Sequence, residues 1–444
     1  MGARRTGIVA LAFAALMAGG CGSDDVSESV ARADSAAQVG EWQTWTIDSG
    51  GAVAVPAPPA EDGGAGAGAR ASDGYAVQPW LERSMELVSQ RPKDPVRASR
   101  DYALAAVAMY DAAVAAAYWQ ARYAESGGGS YPSTEAAVAG AGSRVIAYTF
   151  PDYPAAQLDQ DAEAVTRELV AGGAAESSVA AGLALGRAVA RRTIAVGNRD
   201  GSDKPWRGRK PRFRGVWAPP PGSAARPVSP TGGTWKTWVL PSGSSVRPPP
   251  MPRYGSEEFR AEAQAVVDTR NSLTDEQKRI AEFWAGGDGT ELPPGRWIRV
   301  VLDYLRDQPE MSQARAARVF ALLTVAMDDA GIAAWDAKYR YWVTRPINAI
   351  RDLGIDPEFE PYLDTPFFPA YVSGHATYSG AAAEVLAYLF SDDAEAWRAR
   401  AREAAQSRLY GGIHYPMDNT VGLAMGTEIG ELVVERAKAD GADQ

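Results

Sequence analysis

Twenty residues of this chain reappear 218 positions later. Arg97–Ala116 (RASRDYALAAVAMYDAAVAA) aligns without gaps on Arg315–Ala334 (RAARVFALLTVAMDDAGIAA), with twelve of twenty positions identical. Further on the offset becomes 240. Ala147-Tyr148-Thr149-Phe150-Pro151-Asp152 then matches Ala387-Tyr388-Leu389-Phe390-Ser391-Asp392, Gly182–Gly186 matches Gly422–Gly426, and Asp200-Gly201 matches Asp440-Gly441. The repeated text is alanine-rich and amphipathic, with few β-branched alternations, so the repeat predicts a duplicated all-α helical bundle. The change of offset places about 22 extra residues in the second copy, between Ala334 and Ala387. An insertion in one copy of a duplicated scaffold is where function tends to be grafted.

Composition narrows the chemistry. Fifty-five Asp and Glu against 45 Lys and Arg give a net charge of −10, which argues against nucleic acid or an anionic membrane surface as the main partner. One cysteine, Cys21, excludes an intramolecular disulfide framework and cysteine-based clusters, and two histidines, His375 and His414, exclude a His-rich metal site. Residues 1–21 (MGARRTGIVALAFAALMAGGC) read as an export signal of lipoprotein type with Cys21 as the lipidated residue. On that reading the protein is exported, a cell-envelope lipoprotein on the outer face of the cytoplasmic membrane or secreted, and touches a membrane only through its lipid anchor. Residues 22–75, rich in Ser, Asp, Ala and Gly, read as a disordered tether. Residues 76–201 read as a first bundle, 202–255 as a Pro/Trp-rich crossover, and 256–444 as the second bundle. The crossover holds a basic stretch, KPWRGRKPRFR, from Lys204 to Arg214. Such a stretch can bind polyanions, but in a chain of this charge the crossover reads as packed on the bundles through Trp206, Trp217, Trp235 and Trp238. Thr274 with Gln277 reads as a capping box that starts a helix.

The second copy holds nearly all the chemically loaded side chains. Lys338 is followed by Arg345-Pro346, then Ser373-Gly374-His375 before an apolar helical stretch, then Ser407-Arg408, His414 and Asp418. The positions matching the two histidines in the first copy are Glu135 and Ala174, so that copy should hold no second anion site. Two arginines and a lysine suit an oxyanion, and a Ser-Gly pair at a helix start offers a hydroxyl and free amides to the same anion. Two histidines can divide attack or ligation from proton exchange, and Asp418 can hold one imidazole in a fixed tautomer. Taken singly, these residues have plain readings: a solvated Arg-Pro loop, a helix cap, a helix-start charge. In this order, using every histidine in the chain, they read as one site.

Lys-x6-Arg-Pro, Ser-Gly-His and Ser-Arg-x5-His-x3-Asp together resemble the signature of the type 2 phosphatidic acid phosphatase and vanadium haloperoxidase superfamily, in particular its bacterial haloperoxidase-like branch. The likeness runs over about 79–436 and includes YALAAVAMYDA, LTDEQKRIAEFW, RPINAIRD and RLYGGIHYPMDN. It implies an all-α body of two four-helix bundles with the site in the second. It also implies vanadate, or phosphate in a phosphatase, held by Lys338, Arg345, Arg408, Ser373 and the Gly374 amide. His414 would be axial to vanadium or the phosphatase nucleophile, His375 the acid–base residue, and Asp418 the partner of His414. The implied reactants are hydrogen peroxide, a halide and a small organic acceptor, or else a phosphate ester. Trp335 and Phe368 resemble the aromatic wall of chloride-competent vanadium peroxidases. One departure is Val372, where the family usually has proline.

Overall fold

The computed structural model describes residues 34–59, 74–124, 130–308 and 311–443; the leader and Cys21 lie outside these residues. Among the described residues there are fourteen α-helices and no β-strand, only an isolated bridge between Val216 and Val343. They are α1 Ala36–Gly40, α2 Gln78–Ser89, α3 Pro95–Tyr123, α4 Thr134–Thr149, α5 Ala155–Ala171, α6 Glu176–Gly197 and α7 Glu257–Asn271. There follow α8 Asp275–Phe283, α9 Leu292–Arg306, α10 Gln313–Tyr341, α11 Pro346–Asp352, α12 Gly374–Leu389, α13 Ala394–Tyr410 and α14 Pro416–Lys438. Helix starts are written in the sequence: Asp94, Ser133, Ser256, Ser312 and Ser373 each accept the amide three residues on, and Thr274 with Gln277 forms the expected capping box.

The repeat is an architectural one. Helices α3 and α10 are both 29 residues long, α4 and α12 both 16, and the members of each pair pack through the middle of their own bundle. The amide of Ser133 donates to the Ser178 carbonyl, and that of Ser373 to the Asp418 carbonyl, both at 3.0 Å. Gly182 and Gly186 lie under the carbonyls of Ser133 and Ala137, and Gly422 and Gly426 under those of Ser373 and Thr377. A Cβ at these four positions would stand 1.9–2.8 Å from those oxygens. Only glycine lets α6 approach α4, and α14 approach α12, this closely. Arg100 ion-pairs with Asp200 and donates to the Gly197 carbonyl, while Arg318 does the same with Asp440 and Ala437. The peptide bonds Tyr131–Pro132 and Tyr371–Val372 are both cis. The extra residues of the second copy form α11 and the segment up to Ser373. Helix α3 is apolar and long enough to cross a membrane, but 89% of its apolar window is buried inside the molecule.

The tether expected over 22–75 is a packed strap where it is described, over 34–59. Trp42-Gln43-Thr44-Trp45-Thr46-Ile47 matches Trp235-Lys236-Thr237-Trp238-Val239-Leu240 of the crossover. The amides of Trp45 and Thr46 donate to Asp111 on α3, and those of Trp238, Val239 and Leu240 donate to Asp329 on α10. Each strap also reaches the other bundle: the Gln43 amide donates to the Asp440 carbonyl, and the Lys236 amide to that of Asp200. The Arg315 guanidinium lies on Trp42, and that of Arg97 on Trp235. The two straps meet where Trp45 stands edge-on to Trp238, 6.0 Å between centroids. Enough buried hydrogen bonds and aromatic area form here to offset the chain entropy that composition alone suggests would win. A second expectation is also corrected: Trp217 and Trp235 are buried, but Trp206 is 39% exposed and only leans on Trp342 from the surface.

Asp329 should therefore behave as a structural carboxylate. Asp329→Ala strands three buried amides and should cost about 2–5 kcal/mol of stability. Asp329→Asn keeps one acceptor oxygen and should cost less. Thermal unfolding followed by circular dichroism measures both, and an unchanged melting temperature in the alanine variant would remove the strap from the stability account.

Candidate active site

The structure brings Lys338, Arg345, Ser373, His375, Arg408, His414 and Asp418 together at the amino-terminal ends of α12 and α14. Lys338 comes from the last turn of α10, Arg345 stands just before α11, and Arg408 lies in the last turn of α13. Lys338 and Arg345 are wholly buried and Arg408 is 2% exposed. Lys338 donates to the carbonyls of Pro369, Ala370 and Val372 at 2.9, 3.0 and 2.5 Å. The departure at Val372 thus leaves a buried residue whose carbonyl holds the lysine. Arg345 donates through Nε to the Phe368 carbonyl and through Nη1 to that of Ile413, while Arg408 donates to the carbonyls of Trp284 and Ala285.

Three cations are buried here, and one carboxylate, Asp418, offsets Lys338 and Arg345. Burial and Arg345 together hold Lys338 well below its usual pKa. Burial first, then Arg345, brings Arg408 down to about 9, and burial brings Arg345 down to about 10. Two of their donors, Arg345 Nη2 and Arg408 Nε, are buried without a partner. Uncompensated buried charge and orphaned N–H groups are both costly, and a single oxyanion would relieve them together. Ser373 Oγ accepts the Ala376 amide as a cap and keeps its own proton to donate, and the first-turn amides of α12 at Gly374 and His375 have no intrahelical acceptor. The cluster therefore fits a tetrahedral oxyanion such as vanadate or phosphate.

His414 stands before α14 with its tautomer set by its neighbours. Nδ1–H donates to Asp418 Oδ2 at 2.8 Å, which leaves the Nε2 lone pair to accept from Arg345 Nη1 at 3.0 Å. Burial, then Arg345, Lys338 and Arg408, hold its pKa well below the usual value, so the ring is neutral and able to ligate or attack. Burial pushes Asp418 up to about 7, against the pull of Lys338. His375 is only part-buried and its Nε2 donates to the Trp284 carbonyl at 2.9 Å, the same oxygen that accepts from Arg408. Burial and Arg408 keep it neutral as well. Trp335 and Phe368 pack against each other at 5.0 Å between centroids, with Lys338 and Arg345 over the Phe368 ring at 5.1 and 4.9 Å.

Sequence reasoning missed the 284–286 segment, which closes over His375. A Cβ at Gly286, whose φ is +56°, would lie 3.3 Å from His375 Nε2. Trp284 works here through its backbone carbonyl, which leaves no mark in residue type; the Trp-Ala-Gly-Gly run was the only available signal.

In the first bundle the same positions carry opposite chemistry. Gln120 stands at the position of Lys338 and donates to the Pro132 carbonyl, as Lys338 does to Val372. Glu135, Glu168, Ala174 and Ser178 replace His375, Arg408, His414 and Asp418. A cavity of about 330 Å³ beside them is lined by Glu82, Glu135 and Glu168, which would repel an anion. Titration calorimetry with orthovanadate or phosphate should thus give one site per chain, and Arg408→Ala should weaken it roughly tenfold or more. Unchanged affinity, or two sites, would break this assignment.

Comparison with known proteins follows the geometry. Residues 318–440 match the family described as VCPO second helical-bundle domain. A vanadium chloroperoxidase of Curvularia inaequalis is 31% identical over 161 residues, which span 31% of this chain and 26% of that protein. Among solved structures, the first bacterial vanadium-dependent iodoperoxidase superposes with a TM-score of 0.69 at 27% identity, covering 81% of this chain and 95% of that one. An apo-type bacterial vanadium-dependent chloroperoxidase superposes at 0.63 with 16% identity, covering 80% and 97%. By sequence in its second half and by fold along the described chain, this protein is similar to the vanadium haloperoxidases.

Proposed function

We propose that the protein is a vanadate-dependent haloperoxidase that uses hydrogen peroxide to oxidise a halide, which then halogenates a small organic acceptor. The observation that carries this reading is the buried cluster of three cations with two unpartnered donors, faced by a neutral His414 whose deprotonated Nε2 points at Arg345. Lys338, Arg345, Arg408, Ser373 and the Gly374 amide would hold the vanadate oxygens, and His414 would ligate vanadium. Bound there, vanadate supplies Lewis-acid activation of peroxide. The protein's part is to fix charge and protons. Asp418 holds the His414 tautomer, and His375, held by the Trp284 carbonyl beside the cations, is placed to exchange a proton. Trp335 and Phe368 exclude water from one side and strengthen the field of the cations. Export through the leader, with lipidation at Cys21, belongs to the same proposal.

The second reading is a metal-independent phosphatase acting through a phosphohistidine at His414. The neutral, Asp418-oriented imidazole supports it equally, since the same lone pair that ligates can attack phosphorus. Peroxide-dependent bromination of a dye and hydrolysis of an aryl phosphate, each with and without orthovanadate, separate the two. Bromination that requires vanadate supports the peroxidase; aryl phosphate hydrolysis without halide oxidation at mildly acidic pH supports the phosphatase. In either case His414→Ala should lower turnover by roughly a hundredfold or more while the protein stays folded, and ordinary activity in that variant would sink both. The wall addresses the halide. Phe368→His replaces an apolar ring with a titratable donor, so it should change the ratio of halide oxidation rates while vanadate affinity holds within a fewfold; an unchanged ratio would separate Phe368 from halide selection.

A further inference from the structure

The crossover divides the chain's charge very unequally. Between Lys204 and Gly255 there are ten Lys and Arg and no Asp or Glu, so the rest of the chain carries 35 cations against 55 acids. Six of the ten fall within eleven residues: Lys204, Arg207, Arg209, Lys210, Arg212 and Arg214. All six are exposed, and none is in an ion pair with a described residue. Charged side chains elsewhere on this surface are commonly paired, for example Arg247 with Asp336 and Arg351 with Glu360. Two large apolar rings stand out of the same strip, Trp206 at 39% and Phe213 at 51% exposure. The strip is nonetheless held in place. Trp206 leans on Trp342 at 6.0 Å between centroids, the Trp217 amide donates to the Trp342 carbonyl at 2.7 Å, and the Thr344 amide donates to the Gly215 carbonyl at 3.0 Å.

We propose that Lys204–Arg214 is a docking strip for an anionic phospholipid bilayer, the cations meeting the head groups and Trp206 and Phe213 entering the interface. Clustered Lys and Arg without intervening acids are what a negatively charged bilayer attracts, and Trp and Phe are the side chains that settle at its polar boundary. The net charge of −10 hides this because it averages a basic strip with an acidic body. The acidic body in turn orients the molecule, since only the strip is drawn toward the surface. Because the strip leads through 215–217 into the segment that carries Arg345, a docked protein would hold its site at a fixed orientation to the bilayer.

Flotation of the full-length protein with vesicles tests this. Phosphatidylglycerol–phosphatidylcholine vesicles should bind it at least tenfold more tightly than pure phosphatidylcholine, and the preference should vanish in 0.5 M NaCl, where the Debye length is roughly 4 Å. Each cation near an anionic bilayer is worth roughly a fivefold gain, so R207S/R209S/K210S/R212S should lose nearly three orders of magnitude on the anionic vesicles. The leader is common to both proteins, so the difference reads the strip. Circular dichroism checks that the variant is folded, and the salt response of the unaltered protein decides the matter if it is not. Equal binding of variant and parent, no preference for anionic lipid, or displacement from vesicles by a stoichiometric single-stranded oligonucleotide would each overturn the proposal.

Discussion

Helices α3 and α10 lie side by side through the middle of the molecule, each buried along most of its length, and each carries an aspartate into that apolar interior. Asp111 and Asp329 could not remain there uncompensated: burial pushes each up to about 6, and hydrogen bonds from strap amides act in the opposite direction. The straps are thus what makes the central contact affordable. Because each strap also touches the partner bundle through Asp440 or Asp200 and through Arg315 or Arg97, the same bonds fix the two bundles relative to one another. The exchange of partners is reciprocal, as in an interface related by a two-fold axis. Asp328, beside Asp329 and pushed up to about 8 by burial, completes this buried acidic centre by accepting from Trp238 and Ser99.

On this scaffold the copy that carries the candidate site differs from the other at few positions. The glycine-mediated contacts of α4 with α6 and of α12 with α14 are the same, as is the Ser cap that starts α4 and α12. What differs is the polarity of the groups those elements present: Gln120 against Lys338, Glu168 against Arg408, Ser178 against Asp418. The inserted residues then supply Arg345 and Phe368 and a set of carbonyls that hold the lysine and arginine in place. Positive charge is kept in the interior by backbone dipoles, with a single carboxylate present, so the cluster retains an excess that only an anion can balance.

Much of this was legible in the residues. Histidine scarcity made His375 and His414 conspicuous, the spacing to Asp418 put carboxylate and imidazole on adjoining turns, and the break in the repeat located the insertion. Other parts were not legible, for physical reasons. Carbonyl groups of Trp284, Ile413 and Val372 do much of the holding, and a backbone group has no residue code. The strap at 42–47 lies in a stretch whose average composition reads as unfolded, and its order comes from partners more than 60 residues away in the chain, such as Asp111. Trp206 was expected to be buried because tryptophan usually is, yet burial depends on neighbours, and the only described ring partner of Trp206 is Trp342.

The state of His414 explains why peroxidase and phosphatase share one constellation. A histidine that is buried beside three cations loses its proton, and a carboxylate at Nδ1 then turns the lone pair of Nε2 toward Arg345. A neutral imidazole so aimed will coordinate a metal-centred oxyanion or attack a phosphorus-centred one, and nothing about the ring itself distinguishes the two. The distinction therefore falls to the surroundings of the other reactants. Phosphoryl transfer needs a proton for a leaving alkoxide and room for its organic group. Halide oxidation needs a small anion to approach through positive potential with little competing water. Trp335 and Phe368, stacked with Lys338 and Arg345 over the phenyl ring, provide an apolar wall with cations directly behind it, which suits the approach of a weakly hydrated anion. His375 stands beside the cations with its Nε2–H held on the Trp284 carbonyl. On the proposed reading the dry wall is the feature that would favour halide chemistry, while the neighbouring imidazole would serve either reaction.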